Sequence, residues 1–217
     1  AHVLTESEIP GIVEAFVQGA KNAIAAGFDG VEVHAANGYL IDQFLRDGAN
    51  DRTDGYGGPL ENRARFLFEV LTAVTAAIGS DRVGLRLSPL NSFNSMKDSD
   101  PLALIGFLAD RLNAFKLAYL HVMRADFFGV QKADVMPVAR EKYKGVLVGN
   151  MGYSADEAEA AIAEGKLDAV AFGTAFLANP DLPARIRAKA PLNAPDSNTF
   201  YAGGAKGYTD YPTLQVA

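Results

Sequence analysis

Gly27-Phe28-Asp29-Gly30-Val31-Glu32-Val33-His34-Ala35-Ala36-Asn37-Gly38-Tyr39 is the stretch on which the reading of this chain turns. Gly27 reads as a helix stop, and Val31–Val33 as a short buried strand. The strand then hands over to an imidazole, a carboxamide and a phenol within six residues. On a strand alternate residues share a face, and Ala-Ala-Asn-Gly predicts a turn before Tyr39 that gathers His34, Asn37 and Tyr39 around one point. His34 and Asn37 are able to donate hydrogen bonds to an oxygen that gains negative charge, and Tyr39 to supply a proton. A buried, satisfied histidine followed by an ordinary Asn-Gly turn and a packing tyrosine accounts for the same letters. Residue chemistry alone leaves both open.

Upstream, Val13, Phe16, Val17, Ala20, Ile24 and Ala25 form an apolar face at helical spacing over Thr5–Gly27, where Thr5 and Glu8 suggest a capping box. Downstream the alternation repeats. Helices are expected over Glu61–Ile78, Pro101–Asn113, Val135–Tyr143, Ala155–Glu164 (with Ser154 and Glu157 as a reciprocal cap) and Pro180–Lys189. Strands are expected over Val83–Leu87, Leu117–Val122, Val146–Val148 and Asp168–Phe172. Short apolar strands separated by helices argue for a parallel α/β sheet, either doubly wound and open or part of a barrel. A closed (β/α)8 TIM barrel needs eight strands. If the fold is that barrel, the chain is expected to supply its later portion, with a separate N-terminal segment completing it. Residues 1–190 are expected to hold five strand-containing units, and 191–217, rich in Gly, Pro, Asn and aromatics, an irregular cap of the same domain.

Composition bounds the function classes. The chain has 217 residues, 49% of them apolar and 21% charged, which is globular rather than disordered. A net charge of −6 argues against nonspecific nucleic-acid binding. With no cysteine there is no disulfide, thiolate metal site or cysteine nucleophile, and the acidic residues show no metal-ligand spacing. No run has transmembrane length, and the opening Ala-His-Val-Leu has no secretory pattern and reads as if inside a fold. A soluble, cytoplasmic enzyme is the expectation.

Other residues are candidates for chemistry. Arg86 interrupts an apolar strand and either meets an anionic or electron-rich cofactor or pairs with Glu32. Val148-Gly149-Asn150-Met151-Gly152 and Phe172-Gly173-Thr174 end strands with glycines that let backbone N–H groups approach a phosphate, although ordinary turns explain them as well. The loop Asp51–Pro59 is read as a structural, salt-bridged excursion, and His121 as structural.

Taken together, these segments resemble the Old Yellow Enzyme family of FMN-dependent ene-reductases. The resemblance rests on Gly27–Leu40, Gln43-Phe44-Leu45, Asn50–Gly58, Glu61-Asn62-Arg63, Val83–Pro89, Asn179-Pro180-Asp181-Leu182, Phe200-Tyr201 and Gly207–Pro212. It implies a (β/α)8 barrel carrying noncovalent FMN, with NADPH or NADH as reductant and an enone or enal as substrate. It further implies that His34 and Asn37 bond the substrate oxygen, that flavin N5 delivers hydride, and that Tyr39 protonates the α carbon. Arg86 is implied at the flavin, Gly149, Asn150, Gly173 and Thr174 at its phosphate, and Tyr201 as an aromatic wall of the pocket. At Thr174 many relatives carry an Arg, which implies weaker phosphate binding here. A noncatalytic half-barrel assembly fragment and an FMN-dependent dehydrogenase or demethylase are the alternatives.

Overall fold

The computed structural model describes residues 2–201 and 203–214. Helix α1 spans Ile9–Ala25 and buries Ile9, Val17 and Ala20. It starts later than the Thr5–Glu8 pair suggests. Thr5 donates from its N–H (2.7 Å) and hydroxyl (2.8 Å) to the Glu8 carboxylate, closing a separate turn ahead of the helix. Gly27, at φ +92°, redirects the chain into β1 (Val31–Ala35). Next come α2 (Leu40–Leu45), α3 (Leu60–Arg63) and α4 (Arg65–Ile78). The single helix expected over Glu61–Ile78 is thus two, meeting at the buried Ala64. Strand β2 (Val83–Leu87) leads to α5 (Pro101–Leu112), whose first turn is capped by Asp100 accepting from the Ala103 N–H at 2.9 Å.

After β3 (Tyr119–Met123) come α6 (Met136–Lys142), β4 (Leu147–Asn150) and α7 (Ala155–Ala163). The Ser154 hydroxyl accepts from the Glu157 N–H at 3.1 Å. The expected reciprocal half of that cap is missing because the Glu157 carboxylate is taken by Arg124. The chain continues through β5 (Ala169–Ala171), α8 (Thr174–Ala178) and α9 (Leu182–Ala188). Helices α2 and α8, six and five residues long, are too short to show a helical period and escaped the sequence reading.

The strands are all parallel and lie in the order β1-β2-β3-β4-β5. This order settles the choice left open by the sequence. Parallel crossovers are almost always right-handed, so a sheet built in one direction keeps all its helices on one face, whereas a doubly wound sheet must reverse. The result is an arc of a barrel. Val33, Ala35, Leu85, Leu87, Leu120, Val122 and Leu147 pack into the buried core with Phe66, Leu67, Val70, Leu104 and Ile105 from the helices. Strand alternation sends Glu32, His34, Arg86, Tyr119, His121, Val148 and Asn150 to the opposite, concave face.

Among the described strands, β1 and β5 each keep one unpaired edge. Beside β1 runs a groove of about 430 Å³ lined by Ile12, Ala15, Phe16, Gly19, Val31 and His34, among others. Beyond α9 the irregular tail folds back onto that helix. The buried Arg185 donates to the carbonyls of Pro191 (2.7 Å) and Pro212 (2.8 Å), and Asp181 accepts from the Leu214 N–H. No helix among the described residues is long and apolar enough to cross a membrane. No group of three metal-ligating side chains occurs among them either.

Candidate active site

Strand β1 carries His34 to the concave face in register with Arg86, which is itself in register with His121. The strand ends in a tight turn. Asn37 and Gly38 have φ of 58° and 72°, and the Tyr39 N–H returns to the Ala36 carbonyl at 3.2 Å. Positive φ at both central positions is what Asn-Gly tolerates best. At Gly38 no other residue fits, since a Cβ would lie 2.6 Å from the Asn94 Cβ and 2.9 Å from the Phe93 carbonyl oxygen. The turn brings Tyr39 back against His34, with ring centroids 5.5 Å apart. Tyr39 itself is 54% exposed.

Asn37 is held on three sides. Its N–H donates to the Ser88 hydroxyl at 2.7 Å, its carbonyl accepts from Asn94 Nδ2 at 3.0 Å, and its side-chain Oδ1 accepts from Asn91 Nδ2 at 2.8 Å. The Asn37 Nδ2 is left to donate outward. Behind the turn, Asp42 accepts from the Gly38 N–H at 2.9 Å. Burial drives the Asp42 carboxyl up to about 6, against the opposing pull of Arg46. Burial also lowers His34 from its usual value, and the Arg86 guanidinium adds to that. His34 is therefore neutral at neutral pH and has one N–H to give.

Arg86 does not pair with Glu32. Its Nη2 donates to Asn150 Oδ1 at 3.0 Å, and Asn150 Nδ2 donates to the Ala171 carbonyl at 2.8 Å. Glu32 lies one layer down, opposite Gly84, and contacts His121 Nδ1 at 2.9 Å. Burial, the largest single influence, would raise Glu32, but the hydrogen bonds of His121 and Tyr119 and the charges of His121 and Arg86 together outweigh it, and the carboxyl lies below its usual value. Arg86 Nε is buried with no protein partner.

The strand ends of β4 and β5 look different. The side chain of Asn150 is committed to Arg86 and Ala171. A Cβ at Gly149 would sit 2.6 Å from Leu167 Cδ1, so the Leu167 side chain would have to give way, and packing already offers a reason for glycine there. The loop after β4, with Met151 at φ 85° and Gly152 at 71°, turns its carbonyls to Arg124 (2.8 and 2.9 Å). Gly173 and Thr174 are exposed, and no atom lies within 4 Å of a Cβ built at Gly173. Tyr201 is 98% exposed and is not brought to the His34–Tyr39 cluster. In the loop before α3, Arg52 bonds Asp54 and the Leu4 carbonyl and lies over Phe44 at 5.4 Å, which is a structural role. Asn91 and Asp42 had no signal in the sequence, since their partners are distant or lie on a helix too short to recognise.

Comparison with known proteins bears on this arrangement. Residues 1–193 match the model of the NADH:flavin oxidoreductase / NADH oxidase family. A probable flavin mononucleotide-dependent alkene reductase of Leishmania infantum is 57% identical over 98% of this chain and 58% of its own length. The structure of the old yellow enzyme from Trypanosoma cruzi superposes with a TM-score of 0.96 at 48% identity, covering 98% of this chain and 57% of that one. Morphinone reductase in complex with tetrahydroNAD superposes with a TM-score of 0.92 at 47% identity, covering 99% of this chain and 58% of that one. This chain thus spans somewhat more than half the length of each. By the extent of these matches, the chain belongs to the NADH:flavin oxidoreductase / NADH oxidase family, that of the old yellow enzymes.

Proposed function

We propose that this chain carries the substrate-orienting and proton-donating part of an FMN-dependent ene-reductase, which reduces activated C=C bonds of α,β-unsaturated carbonyl compounds with NAD(P)H. The observation that carries the reading is the convergence at the end of β1. Asn37 has an outward-facing Nδ2, His34 is neutral, and the Tyr39 ring is 5.5 Å from that of His34. The relatives named above as an alkene reductase and a tetrahydroNAD complex support substrate class and reductant.

The residues present fit the cofactor. A cationic side chain with a buried unpartnered N–H stands on the concave face beside His34, suited to an electron-rich ring, and the open backbone at Gly173–Thr174 suits a phosphate. Arg86, held by Asn150, would therefore meet the ring, and Gly149, Gly173 and Thr174 the phosphate end. When bound, FMN supplies the hydride chemistry. His34 and Asn37 each donate to the substrate oxygen and stabilise the negative charge that grows there as the alkene is reduced. Tyr39 gives the proton of its hydroxyl to the α carbon. Tyr201 is the exposed aromatic available to wall the pocket of a complete barrel.

The five strands are read as the later arc of that barrel, with residues 1–190 as its strand-containing units and 191–217 as the cap. The apolar groove beside β1 supports the placement of the preceding strands at that edge, where they would cover unpaired backbone. The site chemistry is the same whether these strands belong to the same polypeptide as the arc or to a complementary segment.

The test is Tyr39→Phe in the protein containing this arc, assayed with NADPH and 2-cyclohexenone. Enone turnover is expected to fall roughly 10²-fold, with reduction by NADPH unchanged. Unaltered enone turnover would remove Tyr39 from the role. A wild-type protein that binds FMN but reduces no enone would favour a dehydrogenase or demethylase, and one that takes up no FMN a noncatalytic half-barrel.

A further inference from the structure

We propose that Asn91 is a positioning residue that locks the Asn37 carboxamide with its N–H groups outward, so that the site takes only a hydrogen-bond acceptor at that point. The inference rests on the functional reading above.

Asn91 follows β2 and is fully buried, at 0% exposure. Its Oδ1 faces two backbone donors, the N–H groups of Phe93 and Phe127, each at 3.4 Å. Rotating this amide by half a turn would set its N–H groups against those two donors and leave all of them unpaired in the interior. Its orientation is therefore dictated by the backbone. Asn91 Nδ2 consequently faces Asn37 Oδ1, at 2.8 Å. Asn37 has its backbone held by Ser88 and Asn94, so the amide rotation is the freedom left to it, and Asn91 removes that freedom. Polarity passes from two loops to the ligand: backbone N–H to Asn91, Asn91 to Asn37, Asn37 to an oxygen lone pair. A carbonyl or phenolate oxygen satisfies this arrangement, and an ammonium group does not.

Asn91→Asp tests the lock. The substitution keeps the size and still accepts from Phe93 and Phe127, but its second oxygen attracts Asn37 Nδ2 and turns Asn37 Oδ1 toward the ligand. Calorimetric dissociation constants for 4-hydroxybenzaldehyde, whose phenolate oxygen only accepts, would be measured in the flavin-loaded enzyme containing this chain. Four proteins are needed: wild type, Asn37→Ala, Asn91→Asp and the double variant. Asn37→Ala is expected to weaken binding about tenfold or more, and Asn91→Asp at least as much. In the Asn37→Ala background, Asn91→Asp should add nothing, because no amide remains to turn. An equal Asn91→Asp effect in both backgrounds, or none in the wild type, would overturn the lock and leave the functional reading standing. An unchanged affinity in Asn37→Ala would overturn that reading and the lock with it. Should Asn91→Asp not fold, Asn91→Ser carries the same cycle. It removes the donor to Asn37 without adding charge, and its weakening should again vanish in the Asn37→Ala background.

Discussion

The exits of β1 and β2 and the exits of β4 and β5 lie along the same edge of one sheet, but they are built differently. At the first pair the turn and the loops that face it are tied down, and the side-chain donors of His34, Asn37 and Tyr39 are left free among the described residues. Asn37 is held by Ser88, Asn91 and Asn94, Gly38 by Asp42, and the facing loops by Asp126, which accepts from the Ser92 N–H and hydroxyl and from the N–H groups of Phe128, Val130 and Gln131. At the second pair, Gly173 and Thr174 stand open to solvent at the start of a five-residue helix. The difference matches the work proposed for each. Donors that must meet a charge as it develops need an orientation set in advance. Backbone that receives a phosphate needs only space and free N–H groups.

Substitutions can break or sharpen this contrast. The largest effect is expected of Asp126→Ala, which strands several part-buried donors and should cost about 3 kcal/mol in chemical denaturation; a loss below about 1 kcal/mol would show that the first pair of exits is not rigidly held. Burial would raise the Asp126 carboxyl, but the bonds from Ser92, Gln131 and Phe128 hold it at about 2. Its folded value is depressed, so its contribution is present above the ordinary value of 3.8 and lost as the pH falls through about 2. Stability measured between pH 5 and 2 should fall less steeply in Asp126→Asn than in the wild type.

Next comes Gly38→Ala, where positive φ and collision with Asn94 act together. It should cost about 2 kcal/mol and abolish phenolate binding, and near-wild-type melting would refute the account of the turn. At the open end, Thr174→Arg adds a cation able to bond a phosphate with two N–H groups, and should tighten FMN binding by about 1 kcal/mol. An unchanged FMN dissociation constant would dispose of the phosphate deficit inferred at Thr174. The smallest effect is expected of Gly173→Ala. With empty space about the new methyl and a φ of −95°, stability should shift by less than about 0.5 kcal/mol. A large shift would mean that both ends of the sheet are equally constrained.

The alternation of Val31–Val33, Val83–Leu87 and the later strands with amphipathic helices was written plainly in the residue pattern, because a period of 2 or 3.6 is a local property that each segment carries by itself. The Asn37-Gly38 turn was legible for the same reason, since its backbone preference resides in two adjacent residues. Two helices were invisible because six or five residues do not complete enough turns to display a period. The fate of Arg86 was also hidden. Its neighbour Glu32 suggested an ion pair, but parallel register places Glu32 opposite Gly84 and leaves Arg86 to Asn150, 64 positions away.

By itself, then, the sequence determined that this is a parallel α/β chain with a cluster of His34, Asn37 and Tyr39 at the end of β1, together with the family resemblance that the comparisons bear out. Tertiary structure decided that the sheet runs in sequential order as a barrel arc, and that Asn91 and Asp42 stand behind the site. It also decided that Asn37 offers a donor rather than an acceptor. Those facts depend on which distant groups share one buried volume, where each donor must find its acceptor, and no local pattern of residues encodes that pairing.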